Sequence, residues 1–396
     1  MISNRIKNLS PSATLAMSQK SAELKAQGID VINLSVGEPD FDTPEFIKDA
    51  AKKAIDDNFS RYSPVPGYLS LRKAVCNKLQ KENNLAYTPE QIVVGNGAKQ
   101  ELANVMLSLI NPDDEVIIPT PAWVSYVEMV KLAEGKSVLV PASLENDFKI
   151  TPAQLENAIT PKSRLLLLNS PCNPTGSVYT SDELKGLAEV LKKHPDIMVM
   201  SDEIYEHINF VGGTASIADN AWMKERTVII NGVSKAYAMT GWRIGYMAGP
   251  LEVAKACTKL QGQYTSGPSS IAQKAAEAAY EGPQLCIEEM RSAFERRRDL
   301  IVSLAKDIPG WKTNCPQGAF YLFPDVTSLI GKKYGNFEIK SSGDYVMYLL
   351  TEAHVACVDG EAFCAPGYMR LSYATSDDNI REAMRRIREA TLRLTK

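Results

Sequence analysis

One lysine in this chain stands where an amine could do covalent chemistry. Lys235 follows Ser234 in the stretch Asn231-Gly-Val-Ser-Lys-Ala-Tyr-Ala-Met-Thr-Gly-Trp-Arg-Ile-Gly245, and Arg243 comes one short loop later. The apolar, β-branched run Thr227-Val-Ile-Ile230 precedes it and reads as a buried strand. An amine beside an anion-binding hydroxyl and a guanidinium is the set that a pyridoxal phosphate site needs. The amine condenses with the aldehyde while Ser234 and Arg243 hold the phosphate. The competing reading is a solvated lysine in a strand-to-helix loop, the ordinary fate of this residue type. The rest of the chain has to decide between them.

Several other residues with chemical potential follow apolar runs in the same way. Gln91-Ile-Val-Val94 leads into Gly95-Asn-Gly-Ala-Lys-Gln100 and a helical pattern, so Gly97 and Ala98 fall where the unsatisfied N–H groups of a first helical turn cradle an anion. No third glycine completes a G-x-G-x-x-G pattern, which weakens a dinucleotide reading. Glu115-Val-Ile-Ile118 ends near Trp123, either plain core or a platform for a planar heterocycle. Arg164-Leu-Leu-Leu-Leu168 runs into Asn169-Ser-Pro-Cys-Asn-Pro-Thr-Gly176, and Ile197-Met-Val-Met200 into Ser201-Asp-Glu-Ile-Tyr205. Thr180 and Glu183 make a capping-box helix start, and Thr43 with Pro44 predicts another, with Thr43 as cap.

Strands without polar alternation are buried on both faces, which predicts a mostly parallel sheet sandwiched by helices. Ligands in such sheets sit beyond the strands' carboxyl ends. Gly97, Trp123, Asn173, Asp202, Tyr205 and Lys235 all fall there. The texture changes after Gly282-Pro283: a long charged helix precedes Gly318-Ala-Phe-Tyr-Leu-Phe323, and an amphipathic helix closes the chain. The expected organisation is a large α/β domain over 46–285, with 1–45 and 286–396 forming a smaller α+β domain.

Composition narrows the function classes. The chain has 396 residues, 44% hydrophobic and 23% charged, with net charge −3 and no basic block. Neither nucleic acid nor a membrane surface is an expected partner. Seven dispersed cysteines without a C-x-x-C pair fit a reducing cytoplasm, and three scattered histidines give no metal-ligand spacing. The first residues lack the apolar core of a signal peptide.

With these residues in place, the chain resembles the fold-type I pyridoxal-phosphate aminotransferases, in particular the bacterial aspartate (aspartate/prephenate) aminotransferase branch of class I. The resemblance rests on Asn173-Pro-Thr-Gly176, Ser201-Asp-Glu-Ile-Tyr205, Ser234 to Arg243, and Met369-Arg-Leu-Ser-Tyr373, in the family's order. It implies Lys235 as the Schiff-base lysine and proton carrier, Asp202 as partner of the pyridine nitrogen, and Tyr205 and Asn173 as donors to the ring 3-oxygen. It further implies Gly97, Ala98, Lys99, Ser234 and Arg243 around the cofactor and its phosphate, with Tyr62 reaching in from the other subunit of a homodimer. Trp123 would stack on the ring. Arg370 would clamp the substrate α-carboxylate, with Gly37 adding a backbone N–H, while Lys99, Ser12 and Thr14 would meet a distal carboxylate.

The resemblance implies a cytoplasmic, homodimeric enzyme acting on amino acids and 2-oxo acids, with aspartate and 2-oxoglutarate first. An aromatic or prephenate substrate is the nearest alternative. A C–S lyase on the same scaffold, and a ligand sensor fused to a DNA-binding module, rank below it. Lys99 argues against the first, and the lack of a helix-turn-helix extension before residue 10 against the second.

Overall fold

The computed structural model describes residues 1–213 and 215–395. Its centre is a seven-stranded sheet. In spatial order the strands are Ile92–Asn96, Ile244–Ala248, Thr227–Gly232, Met198–Asp202, Ser163–Asn169, Glu115–Thr120 and Lys136–Pro141. All neighbours run parallel except Ile244–Ala248, which is antiparallel to both of its own. Alternation of side chains sends Val93, Val228, Met200 and Met247 to one face, against the helices Ala98–Leu109, Ser125–Leu132 and Leu251–Tyr264. Val94, Ile229 and Ala248 pack on the other face with Leu71–Leu79 and Ala272–Ala279. Both faces are therefore covered, as the unbroken apolar runs require.

The register aligns the carboxyl ends: Asn169 lies opposite Asp202, Asp202 opposite Ile230, and Gly232 opposite Gly245. A second unit is built from a three-stranded antiparallel sheet, Val358–Asp359, Met369–Ser372 and Tyr321–Leu322, with the helices Leu285–Ala305 and Asp377–Leu392. Ile32–Asn33 pairs in parallel with Val355–Ala356, which ties the N-terminal segment to this unit. The opening residues reach instead to the large unit, where Arg5 meets Glu134 at 3.2 Å and the Ser10 amide donates to Glu128 at 2.8 Å. No helix among the described residues is long and apolar enough to cross a membrane.

Local expectations fared unevenly. The Thr180 capping box forms, with Glu183 accepting from the Thr180 amide at 2.8 Å. Thr43 does not cap. The helix is Glu45–Asp56 with Pro44 in the cap position, because the Thr43 hydroxyl is already engaged. It donates to the Ala238 carbonyl at 2.8 Å and accepts from the Trp242 indole at 3.0 Å. Of the expected strand at 318–323, Tyr321–Leu322 forms a strand, and Gly318 makes an isolated antiparallel bridge to Asn209.

A charged cluster lies behind the Tyr205 turn. Glu82, Glu206 and His207 bring ligand-type atoms within 4.8 Å of one another, a grouping the spacing of the histidines did not foretell. The cation there is already supplied by Lys78, buried and paired with Glu206. Burial alone would raise the Glu206 carboxyl, but Lys78 and His207 outweigh it and hold it down at about 2. A carboxyl depressed from 4.5 to about 2 stabilises the fold above its unfolded value, and that stability drains away as pH falls between the two. Removing the ammonium leaves a buried unpaired charge, so Lys78→Ala is expected to cost about 3–5 kcal/mol at neutral pH. Urea unfolding at pH 7 and pH 3 checks this: the deficit of the variant should shrink at the lower pH.

Candidate active site

A cavity of about 470 Å³ opens at the carboxyl ends of the central strands, and Lys235, Asp202, Trp123, Asn173, Lys99, Ser234 and Arg243 all line it. So do Ala98, Tyr205, Gly37, Arg370, Ser12 and Thr14. Two expected residues do not line it directly. Gly97 sits under the guanidinium of Arg243, and Tyr62 is 99% exposed and outside this chain's own cavity.

The phosphate-type cradle comes from two chain segments. The helix Ala98–Leu109 begins at Gly97 with no side chain capping it; the Gln100 amide donates to the Gly97 carbonyl at 3.0 Å, and the amides of Ala98 and Lys99, both beside the cavity, are left for an anion. Gly97 has φ +83, and a Cβ there would lie 2.4 Å from Arg243 Nη2. Arg243 is held by the carbonyls of Thr240 (2.8 Å) and Asn96 (3.3 Å). Gly245 closes the arrangement, since a Cβ on it would fall 2.1 Å from the Ala98 amide. Helix amides, the Ser234 hydroxyl and a guanidinium are a donor set for a phosphate dianion.

The Lys235 amine donates to the Gly37 carbonyl at 2.6 Å. Removal from water brings its pKa down to about 8, against the pull of Glu38 and with help from the charges of Arg370 and Arg243. Asp202 is buried, and desolvation pushes its carboxyl up to about 6 although Tyr126 donates to it at 2.6 Å. The second oxygen of Asp202 accepts from the Ile204 amide at 3.2 Å. The Tyr205 hydroxyl lies 2.7 Å from that of Tyr321.

Arg370 is 1% exposed, and among the described residues no carboxylate pairs with it. Its Nη1 donates to Asn173 Oδ1 at 2.9 Å and its Nη2 to the Ser35 carbonyl at 2.7 Å, while Nε is buried without a partner. A buried guanidinium with a donor unmet is costly unless an anion completes it. On the same cavity, Lys99 Nζ stands 4.7 Å from the Trp123 ring centre, its pKa lowered by burial and by Arg243. Ser12 and Thr14 differ: the Ser12 hydroxyl caps its own helix by accepting from Leu15, whereas the Thr14 hydroxyl is buried and free of any partner.

These observations fit pyridoxal phosphate: a phosphate cradle, an amine of lowered pKa, a buried carboxylate for a pyridinium and an unfilled guanidinium for a carboxylate. Sequence reasoning missed Tyr126, Tyr321 and Glu38. Tyr126 lies one helical turn past Trp123, a spacing that could have suggested it. Tyr321 and Glu38 carry no comparable local signal, being brought in by tertiary packing.

Comparison with known proteins points the same way. Residues 29–387 match the family described as aminotransferase class I and II. The aspartate/prephenate aminotransferase of Nitrosomonas europaea is 48% identical over 390 residues, 98% of each chain. That of Cereibacter sphaeroides is 49% identical, over 98% of this chain and 97% of the relative. Among solved structures, the aspartate aminotransferase of Rhizobium meliloti superposes with TM-score 0.96 at 44% identity over the full length of both chains. The Thermus thermophilus aspartate aminotransferase with maleate gives TM-score 0.93 at 41% identity, over 98% of this chain and 99% of that one. This chain therefore belongs to the class I and II aminotransferase family.

Proposed function

We propose that the protein is an aspartate aminotransferase that shuttles an amino group between L-aspartate and 2-oxoglutarate in a ping-pong cycle. The observation that carries this reading is one cavity holding two cations suited to two carboxylates, the buried Arg370 and Lys99, together with the amine of Lys235. When bound, pyridoxal phosphate supplies the electron sink that makes the substrate Cα–H acidic. Lys235 holds the cofactor and then moves the proton between Cα and the cofactor carbon, a task suited by an amine whose pKa is near 8. Asp202 meets the protonated ring nitrogen, which offsets the cost of ionising a carboxyl now raised to about 6. Tyr205 and the Asn173 amide serve the ring 3-oxygen, and Trp123 covers the ring face.

Gly97, Ala98, Ser234 and Arg243 take the phosphate, with Lys99 at its edge. Arg370 and the Gly37 amide take the α-carboxylate. Lys99 and Thr14 take the distal one, with Ser12 fixing the start of their helix segment. The enzyme acts as a cytoplasmic homodimer, and the exposed Tyr62 reaches the phosphate site of the second copy. Prephenate is a second acceptor on this reading, since its own carboxylate suits the Lys99 end. The names of the similar bacterial enzymes support that choice.

Single half-reactions followed in the visible spectrum test the reading. L-Aspartate and L-glutamate are expected to bleach the lysine-bound cofactor band faster than L-alanine or L-phenylalanine. Release of ammonia or pyruvate instead would make the enzyme a lyase. Lys99→Ala should lower the preference for aspartate over alanine roughly tenfold or more, the scale of one charge-assisted contact. A variant that keeps its full preference removes the dicarboxylate reading. Gly97→Ala drives a methyl into Arg243 and demands an unfavourable φ, so equilibrium dialysis should find cofactor affinity at least about tenfold weaker.

A further inference from the structure

Tyr321 is fully buried and meets three parts of the cavity at once. Its hydroxyl is 2.7 Å from that of Tyr205, and the Arg370 guanidinium carbon is 4.5 Å from its ring centre. A Cβ on Gly37 would come within 2.4 Å of its hydroxyl oxygen, so a glycine is what lets these two segments approach. None of the chemistry assigned above uses this side chain. We propose that Tyr321 is a positioning residue with two separable parts: its ring holds the Arg370 guanidinium in the orientation that receives the substrate α-carboxylate, and its hydroxyl aims the Tyr205 proton at the cofactor's ring oxygen. The inference rests on the roles given to Tyr205 and Arg370 in the proposed function.

The ring part follows from how Arg370 is held. Asn173 and Ser35 engage its Nη1 and Nη2, but two hydrogen bonds leave the guanidinium plane free to tilt about them. The rings of Tyr321 and Phe363, at 4.5 and 4.9 Å, remove that freedom, and the π face attracts a cation most where water is excluded. Nε is left as the donor for an incoming anion.

The hydroxyl part is a matter of counting protons. A phenol has one proton and two lone pairs, and in the Tyr205–Tyr321 contact either oxygen can donate. Once Tyr205 gives its only proton to the ring oxygen, its own oxygen can only accept from Tyr321. Charged or titratable groups facing this pair are Arg370, Asp202 and Lys235. Arg370 is nearest to Tyr321 and favours its phenolate, which makes Tyr321 the better donor of the two. Successive donors polarise one another, so the chain Tyr321 to Tyr205 to ring oxygen is stronger than Tyr205 alone.

The test uses holoenzyme, the pH midpoint of the visible band of the lysine-bound cofactor, and KM and kcat for L-aspartate. Tyr321→Phe keeps the ring and loses the proton. A weaker donor leaves the ring oxygen less stabilised as an anion, so the proton it shares with the lysine nitrogen is held to higher pH. The midpoint should rise by about 0.5–1 unit, the effect of one net hydrogen bond, with KM changed less than about threefold. Tyr321→Leu should show the same shift and a KM raised roughly tenfold, with a smaller effect on kcat. An unmoved midpoint in Tyr321→Phe, or a KM rise there equal to that of the leucine variant, overturns the proposal. If Tyr321→Leu does not fold, Tyr321→Met takes its place in the KM comparison, and the phenylalanine variant still decides the hydroxyl part. Tyr205→Phe serves as control: a shift there without one in Tyr321→Phe defeats this inference alone, and no shift in either defeats the reading of Tyr205 with it.

Discussion

Desolvation governs this molecule's cavity. Lys235 loses affinity for its proton, Asp202 gains affinity for one, and Arg370 keeps its charge with no carboxylate beside it. Each is a cost when the chain folds by itself. A protein can hold such groups only if its frame is stable enough to tolerate them and a ligand of complementary charge repays the desolvation on binding. The frame here is the doubly covered sheet, whose strand residues from Val116 to Ile118 and Leu165 to Leu168 are buried throughout. The satisfied Lys78–Glu206 pair, directly behind Tyr205, shows the contrast: there the charges answer one another, and in the cavity they do not.

Topology is what brings the unsatisfied groups together. Were every strand parallel, Arg243 would enter the strand Ile244–Ala248 at the edge of the sheet remote from the ligand. Because that strand alone runs antiparallel, it starts where its neighbours Ile92–Asn96 and Thr227–Gly232 finish. Gly97, Ser234 and Arg243 thereby meet at one edge from distant parts of the chain. The glycine pairings Gly95 to Gly245 and Gly232 to Gly245 let the three backbones approach closely enough to set the helix amides beside the guanidinium.

Much of this was legible in the sequence, for a physical reason. Buried parallel strands are local signals, short apolar runs ended by turn residues, and Asp202, Asn173 and Lys235 stand immediately after them. The capping box at Thr180 is local too. Thr43 misled because a hydroxyl has few partners to choose from, and its choice of Ala238 and Trp242 lies almost two hundred residues away. The strand Ile244–Ala248 is marked only by a short apolar run between Gly241-Trp-Arg243 and Gly249-Pro250, and periodicity carries no information on its direction. Glu38 and Tyr321 are visible only after folding, since Thr240 and Tyr205, their hydrogen-bond partners, belong to the other unit.

That last point bears on how the site divides between the two units. The phosphate cradle, Asp202 and Lys235 belong to the large sheet. The proposed carboxylate clamp belongs to the small unit, on the strand Met369–Ser372 and the segment at Ser35 and Gly37. The seam between them runs through Asn173-Pro-Thr-Gly176. Asn173 accepts from Arg370, and the Gly176 carbonyl accepts from the amides of Gln317 and Gly318 at 2.8 and 2.9 Å. Gly176 has φ +67, and a Cβ on it would strike Pro316 at 2.5 Å, so the crossing chain lies against bare backbone. Arg297, paired with Asp40 at 2.7 Å, fixes the Gly37 segment to the small unit's long helix. On the roles proposed, the cofactor cradle is set by the large sheet, the α-carboxylate is gripped from the small unit, and the distal carboxylate lies between Lys99 of the large unit and Thr14 of the N-terminal segment. On that reading, discrimination among substrates depends on how the units meet at this seam, and cofactor binding does not.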